Sequence, residues 1–423
     1  MSENIYLKRL FQAYYKEQNS KIPIVHLHDK REFGFIPWEK PIMIRHLGFE
    51  NPDEFLKYLI KNAPRHVYSS GSLYSQPDNS NINNKGYLGC DFIIDIDVDH
   101  FDTPCKVDHD LWYCKECGKE GKGLPPKKCP KCKKLKFTHI SWICEKCLNI
   151  AKEEIIKLIN NFLIPDFGYS EPNFNIAFSG HRGYHLKVED DRIRQLSSEN
   201  RREIVDYLMG HNVSLEILGL REYSQNIYGL LKENVGWEKK IIIKLEDMLA
   251  NSTPLEIEHQ LIKFGLNKNI IKSFIHSKDD FLETITRKDR NLWIIPNFTL
   301  TTWKKFLGGI VKEIGAEIDQ PVSVDIHRLI RYPGTLHGKT GFKVQELTLK
   351  ELFNFNPLNQ SDNLLDPVVF KSTNTQKLEI IEKKVPLISI KGDKYGPYIQ
   401  GERIEVPHHI AVLFLCKGVA KTI

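Results

Sequence analysis

Gly89-Cys90-Asp91-Phe92-Ile93-Ile94-Asp95-Ile96-Asp97-Val98-Asp99 sets an apolar, β-branched run against its own acids. Phe92 to Val98 has the composition of a strand buried on both faces, where carboxylates do not belong. Side chains alternate along a strand, so Asp95 and Asp97 project from one face, about 6–7 Å apart along the backbone, while Ile94, Ile96 and Val98 pack on the other. Unpaired buried carboxylates are costly, and a divalent cation is a natural compensating charge. For magnesium, a few carboxylates and substrate phosphates complete the coordination shell. The plainer alternative is a strand that ends in a solvated, Asp-rich turn.

The chain around it has 423 residues, more than one typical core, and two or three modules are expected. There is no apolar N-terminal signal segment and no apolar run near the ~20 residues that span a bilayer, which predicts a soluble, cytoplasmic protein without a membrane partner. The formal net charge of +6 permits a polyanionic partner without requiring one. Eight of the nine cysteines lie between Cys90 and Cys147, six of them as Cys-x-x-Cys pairs. Without an export signal, this pattern points to metal binding rather than disulfides.

Cys114 and Cys117, followed after eleven residues by Cys129 and Cys132, have the spacing of a zinc ribbon. Cys105 and His109 with Cys144 and Cys147 make a second set of four ligands. Two structural Zn²⁺ ions are therefore expected, the ribbon being an excursion between the halves of the outer site; with His109 as an ordinary polar residue, the outer site would keep three cysteines. Four ligands each leave no open position for catalysis. Nine lysines from Lys115 to Lys136 surround the ribbon. Such a basic knob is either a solvated face or a grip on a nucleic-acid backbone that reads no sequence.

Elsewhere, Tyr6–Glu17 and Asn51–Asn62 read as helices, and Ile22–His28, Arg31–Phe35, Met43–His46 and Val67–Tyr74 as strands. Arg31 and Arg45 are open to two readings, a surface position on an edge strand or a phosphate or template contact. Helix Glu145–Phe162 has an apolar stripe. Strand Asn175–Phe178 leads into Ser179-Gly180-His181-Arg182-Gly183-Tyr184-His185, whose glycines permit a close backbone approach and whose Ser179, Arg182 and His185 can donate to phosphate oxygens. From about Ser197 to Arg290 the chain is charged and helix-forming, with helices expected at Glu199–Met209, Ile241–Leu249, Leu255–Phe264 and Ile270–Thr286, an insertion that names no chemistry. Ala316–Asp325 reads as a strand carrying Asp319 and Asp325, and His327 to Gly341 as a loop with Arg328, Arg331, His337 and Lys339 on a glycine-rich backbone. Phe353 to Lys384 is loop-like.

Taken in order, Arg31-Glu32-Phe33-Gly34-Phe35, Asp95-Ile96-Asp97, a Cys/His module, Ser179 to His185, Ile318-Asp319, and Leu329-Ile330-Arg331 through His337-Gly338-Lys339 resemble the catalytic small subunit of archaeal and eukaryotic DNA primases. The resemblance implies an α/β (α+β) primase-type catalytic domain with a mixed sheet, an inserted zinc-binding module and an inserted helical subdomain. The expected divisions are 1–104, 163–196 and 291–423 for the catalytic domain, 105–162 for the zinc module with its following helix, and 197–290 for the helical insertion. It further implies Asp319, eighteen residues before His337, as the third metal acid, with Asp325 as a nearby competitor. Asp95, Asp97 and Asp319 would hold Mg²⁺ or Mn²⁺; Ser179, Arg182, His185, Arg331, His337 and Lys339 would bind a nucleoside triphosphate. The product would be a short RNA primer, with DNA as a second product, made on single-stranded DNA at the nucleoid together with a separate large subunit. A catalytically silent zinc-containing nucleic-acid binder and a metal-dependent nuclease or phosphatase are the rival readings. The nuclease has no use for the distant Arg-His-Lys loop.

Overall fold

The computed structural model describes residues 3–100, 103–287 and 291–423. The chain divides into two compact units, one of residues up to 155, 171–201 and 319–423, the other of 156–170 and 202–318. Among the described residues no helix is long and apolar enough to cross a membrane.

The two largest sheets of the first unit have five and four strands. One places His66–Tyr74 between Leu329–Arg331 and Arg31–Ile36, with Ile44–Leu47 beyond and Tyr87–Cys90 also paired to His66–Tyr74. The other runs Gln345–Leu347, Phe174–Phe178, Gly183–Val188, Phe92–Asp97. The fold is α+β as expected, but the mixed sheet resolves into separate antiparallel ones: each strand pairing among the described residues of these two sheets is antiparallel. Tight turns such as Ser179–Arg182 join neighbouring strands, and such turns enforce antiparallel pairing.

The chain passes from the first sheet to the second at Asp91, between Tyr87–Cys90 and Phe92–Asp97. Asp91 is fully buried, and its carboxylate accepts from Arg31 Nη2 at 2.7 Å and Arg194 Nε at 2.7 Å. Arg31 also donates to the carbonyls of Ser70 (2.8 Å) and His26 (2.8 Å), and the Asp91 N–H donates to Gly71 O at 3.0 Å. Arg31 therefore has neither of the roles considered for it, since its guanidinium is wholly inside, on a strand with neighbours on both sides. A buried charge needs such pairing, and here the pairing joins the two sheets. Phe92, Ile94, Ile96 and Val98, each at most 1 % exposed, anchor the strand that follows.

Residues 105–147 carry the inserted module, whose sheet orders Glu120–Lys122, Leu111–Cys114 and Phe137–Ile140. The second unit is mostly helical, around an aromatic core in which Trp303 packs on Phe281, Trp293 and Phe298 at 5.1, 4.7 and 4.8 Å between ring centroids. Helix Leu300–Ile314 carries Trp303 and so is integral to this core, not to the catalytic part as its position after residue 290 suggested. The expected end of the insertion at Arg290 lies outside the described residues.

Four local expectations change. Ile22–His28 forms no strand: Pro23 lacks a donor and Leu27 turns left-handed at φ 53°. Ile270–Thr286 is two helices, Lys268–His276 and Lys278–Thr286, parted at Ser277. Ala316–Asp325 is not a strand, because Pro321 starts the short helix Gln320–Val324, with Asp319 at its N-terminal boundary and Asp325 at its C-terminal one. The stretch read as loop also contains a strand, Thr375–Ile380.

Replacing Arg31 by Met should destabilise the first unit by about 3 kcal/mol, since Asp91 would keep only part of its compensation in a dry site. Chemical denaturation monitored by the fluorescence of Trp38 and Trp142, both in that unit, with the other four tryptophans mutated to Phe, checks this; an unchanged midpoint would contradict the assigned role of the pair.

Candidate active site and metal centres

Asp95 and Asp97 sit opposite His185 and Gly183 in the antiparallel pair formed with Gly183–Val188, so the acids and the glycine turn share one end of the second sheet. Gly183 is required there, since a Cβ would lie 2.2 Å from Ile96 O. The Asp319 N–H donates to Asp95 O at 3.1 Å, which ties the start of the short helix to the acidic strand across more than two hundred residues. Burial and the negative charges of Asp97 and Asp319 push the Asp95 carboxyl up to about 8. Its Oδ1 is buried without a hydrogen-bond partner, 3.4 Å from His185 Nε2. A covered carboxylate crowded by two others is the chemistry a divalent cation relieves, and the donor set fits a hard, oxygen-seeking ion.

Asp95 and Asp97 line a cavity of about 380 Å³ together with Ser179, His185, Arg331, His337 and Lys339. Two motifs far apart in sequence meet here because Thr340 Oγ1 donates to Gly180 O at 2.6 Å. Gly180, at φ 79°, allows this approach; a Cβ would stand 2.7 Å from His337 Cβ. Arg331 lies beside Tyr68 in the strand pairing, with its guanidinium 5.1 Å from that ring's centroid and Nη1 2.8 Å from His66 Nδ1. Burial and Arg331 push His185 down to about 3, and burial with neighbouring cations likewise holds His181 and His337 well below the usual range. These histidines are therefore neutral hydrogen-bonding groups, and the positive charge on the lining comes from Arg45, Arg328, Arg331 and Lys339.

Arg182 does not join them. Its guanidinium is fully buried and bonds Asp110 through Nη1 at 2.9 and 3.1 Å, with Asp99 at 3.1 Å. The alternation that points His181 into the cavity turns Arg182 towards the inserted module. Asp325 lines the cavity, but its carboxylate accepts the His327 N–H at 2.8 Å; Asp319 is the acid that burdens Asp95. Asp99, His181 and Tyr68, given no role from sequence, also line it, as does Arg45, whose guanidinium is paired with Glu32. Asp97, Asp99 and His181 bring one ligand atom each within 4.8 Å of one another, whereas Asp95, Asp97 and Asp319 form no such single-ion group among the described residues. The signal for Asp99 was its two-residue spacing from Asp97, and for His181 its place in the glycine turn.

Both cysteine sets converge as spaced: Cys105, His109, Cys144 and Cys147 in one group, Cys114, Cys117, Cys129 and Cys132 in the other. Sulfur separations of 3.3 Å (Cys105 to Cys147), 3.5 Å (Cys114 to Cys132) and 3.6 Å (Cys117 to Cys129) are far beyond a disulfide bond. They approach the ~3.8 Å edge of a tetrahedron with Zn–S of about 2.3 Å, so either group could hold zinc. His109 turns Nε2 to Cys147 Sγ at 3.4 Å and Nδ1 to Asp110 at 2.8 Å, the outer carboxylate that orients a metal-binding imidazole. Asp110 thus links the outer cysteine site to Arg182 and, through it, to Asp99 at the cavity.

The family model described as DNA primase small subunit matches residues 133–349. The DNA primase small subunit PriS of Methanosarcina mazei is 30% identical, the alignment covering 98% of this chain and 96% of that protein. Those of Methanothrix thermoacetophila (30%; 98% of both chains) and Nitrosopumilus maritimus (28%; 98% and 97%) are similar over equal extents. With its acids, glycine turn and His-Gly-Lys loop on one cavity, the chain belongs to the DNA primase small subunit family.

Proposed function

We propose that this chain is the catalytic subunit of a DNA primase that joins nucleoside triphosphates into short RNA primers on single-stranded DNA, by two-metal-ion nucleotidyl transfer. The observation that carries the reading is geometric: Asp95 and Asp97 line one cavity with Arg331 and Lys339, and the Asp319 N–H bonds Asp95 O beside them. Asp95, Asp97 and Asp319 would hold Mg²⁺ or Mn²⁺, whose chemistry is to activate the attacking 3′-hydroxyl and neutralise charge on the phosphates. Lys339 and Arg331 bind the triphosphate as fixed positive charges and stabilise the leaving pyrophosphate. Ser179, His185 and His337 add neutral hydrogen bonds that orient it. Arg182 acts indirectly, by holding Asp99 and Asp110. Little covalent chemistry falls to the protein, which aligns two nucleotides and supplies charge. Zn²⁺ in the two cysteine sites is structural, and a separate large subunit completes the enzyme in the cytoplasm.

Incubated with single-stranded template, labelled nucleotides and Mn²⁺, the protein should form primers. Asp95→Ala and Asp319→Ala should each lower the rate by at least about 10²–10³-fold, as for loss of one transition-state charge group. Normal synthesis by Asp319→Ala, or none by the unmodified chain with its large subunit, would overturn the reading. Lys339→Ala should raise the KM for nucleotide by about tenfold or more, one lost charged contact, whereas Arg182→Ala should lower the melting temperature with a smaller change in that KM. Metal analysis of protein purified without added zinc should find two equivalents per chain, and chelation should lower the melting temperature. Less than one equivalent would remove both structural sites.

A further inference from the structure

The net positive charge of this chain is concentrated in one segment. Between Leu111 and Ile140 stand nine lysines and two glutamates, a formal +7, while the whole chain carries +6, so all other residues together carry −1. All nine lysines are exposed, and none makes an ion pair among the described residues. They ride on a three-stranded sheet pinned by the Cys114, Cys117, Cys129 and Cys132 group, so the charge is held on a small, stiff support. A groove of about 380 Å³ beside it adds Lys383 and Lys384 to Lys122.

The segment lacks what a reader of bases or a binder of unpaired strands would need. It has no arginine to fork onto a base edge. None of its aromatic rings is exposed: Trp112 is buried and packs edge-on to Phe137 at 5.4 Å, and Tyr113 lies under Lys383 Nζ at 5.3 Å. Proteins that hold single strands combine positive charge with aromatic platforms for the bases. Lysines without platforms match a partner whose bases are already stacked and whose phosphates face outward. The base of the segment is tied to the cavity through Asp110, Arg182 and Asp99.

We propose that the lysine-bearing ribbon grips the phosphate backbone of the primer–template duplex as it leaves the active site, independently of sequence, and so supports extension rather than the first bond. This rests on the primase reading for its place in the reaction, but the binding itself needs no turnover. An RNA–DNA hybrid and a DNA duplex offer the same phosphate chemistry and form two arms of the test.

The full-length, zinc-loaded chain and a variant with Lys119, Lys127, Lys128 and Lys134 each changed to Gln are titrated, over a salt series, against fluorescent duplexes of both kinds and a single strand of equal length. The variant should bind both duplexes at least about tenfold more weakly at low salt, with a log–log salt slope shallower by about 3–4, from ~0.9 per lost phosphate contact. Single-strand affinity should move by less than about threefold, because that mode depends on stacking platforms absent here. The same positions changed to Arg should restore duplex binding, and zinc content should be unchanged in both. With nucleotides present, the first dinucleotide should form at the normal rate while products shorten. Unchanged duplex slope, or an equal loss for single strand and duplex, overturns the proposal. Absence of nucleotide incorporation with intact duplex binding overturns the primase reading alone.

Discussion

The pairing of Asp91 with Arg31 and Arg194 is the constraint on which the rest of the first unit depends. It lies at the one residue between strand Tyr87–Cys90 of the first sheet and strand Phe92–Asp97 of the second. Three charged groups removed from water hold each other there, and the geometry they require sets where the acidic strand starts. From that start, the two-residue alternation of a strand is enough to bring Asp95 and Asp97 to the cavity while Ile94 and Ile96 close the interior.

A second set of contacts brings in the remaining chemistry. Thr340 bonding Gly180 joins the His-Gly-Lys loop to the glycine turn, and the Asp319 N–H bonding Asp95 O joins the short helix to the acidic strand. Each joins segments well over a hundred residues apart; the loop brings His337 and Lys339, and the short helix leads into Asp325, at the same 380 Å³ cavity. Acids and cations line the same cavity, an arrangement of the kind that stabilises a phosphoryl group between metal and protein charges.

The cysteine module is wired to that cavity rather than merely attached. His109 leans on Asp110, Asp110 on Arg182, and Arg182 on Asp99. A change in the outer cysteine site therefore has a direct route to the rim of that cavity. The lysine-bearing ribbon extends from the same base, which gives its strong local charge a fixed position relative to the acids of unit one.

Much was legible in the residues themselves. Acids inside an apolar strand are a local contradiction with few solutions, and Cys-x-x-Cys spacing constrains sulfur positions within a few residues, so both sites were readable in one dimension. The direction of Arg182 was not, because neighbouring positions on a turn point to opposite sides and only the location of Asp110 decides which side is which. Nor was the fate of Arg31, whose burial requires a partner sixty residues away. The conformation around Asp319 turned on Pro321 outweighing an apolar, β-branched pattern. The sequence by itself determined which chemical groups exist and which local geometry each can adopt, since propensity and spacing act over a few residues. The tertiary structure alone decided which of them share a cavity, because long-range contacts depend on burial and charge compensation summed over the whole fold.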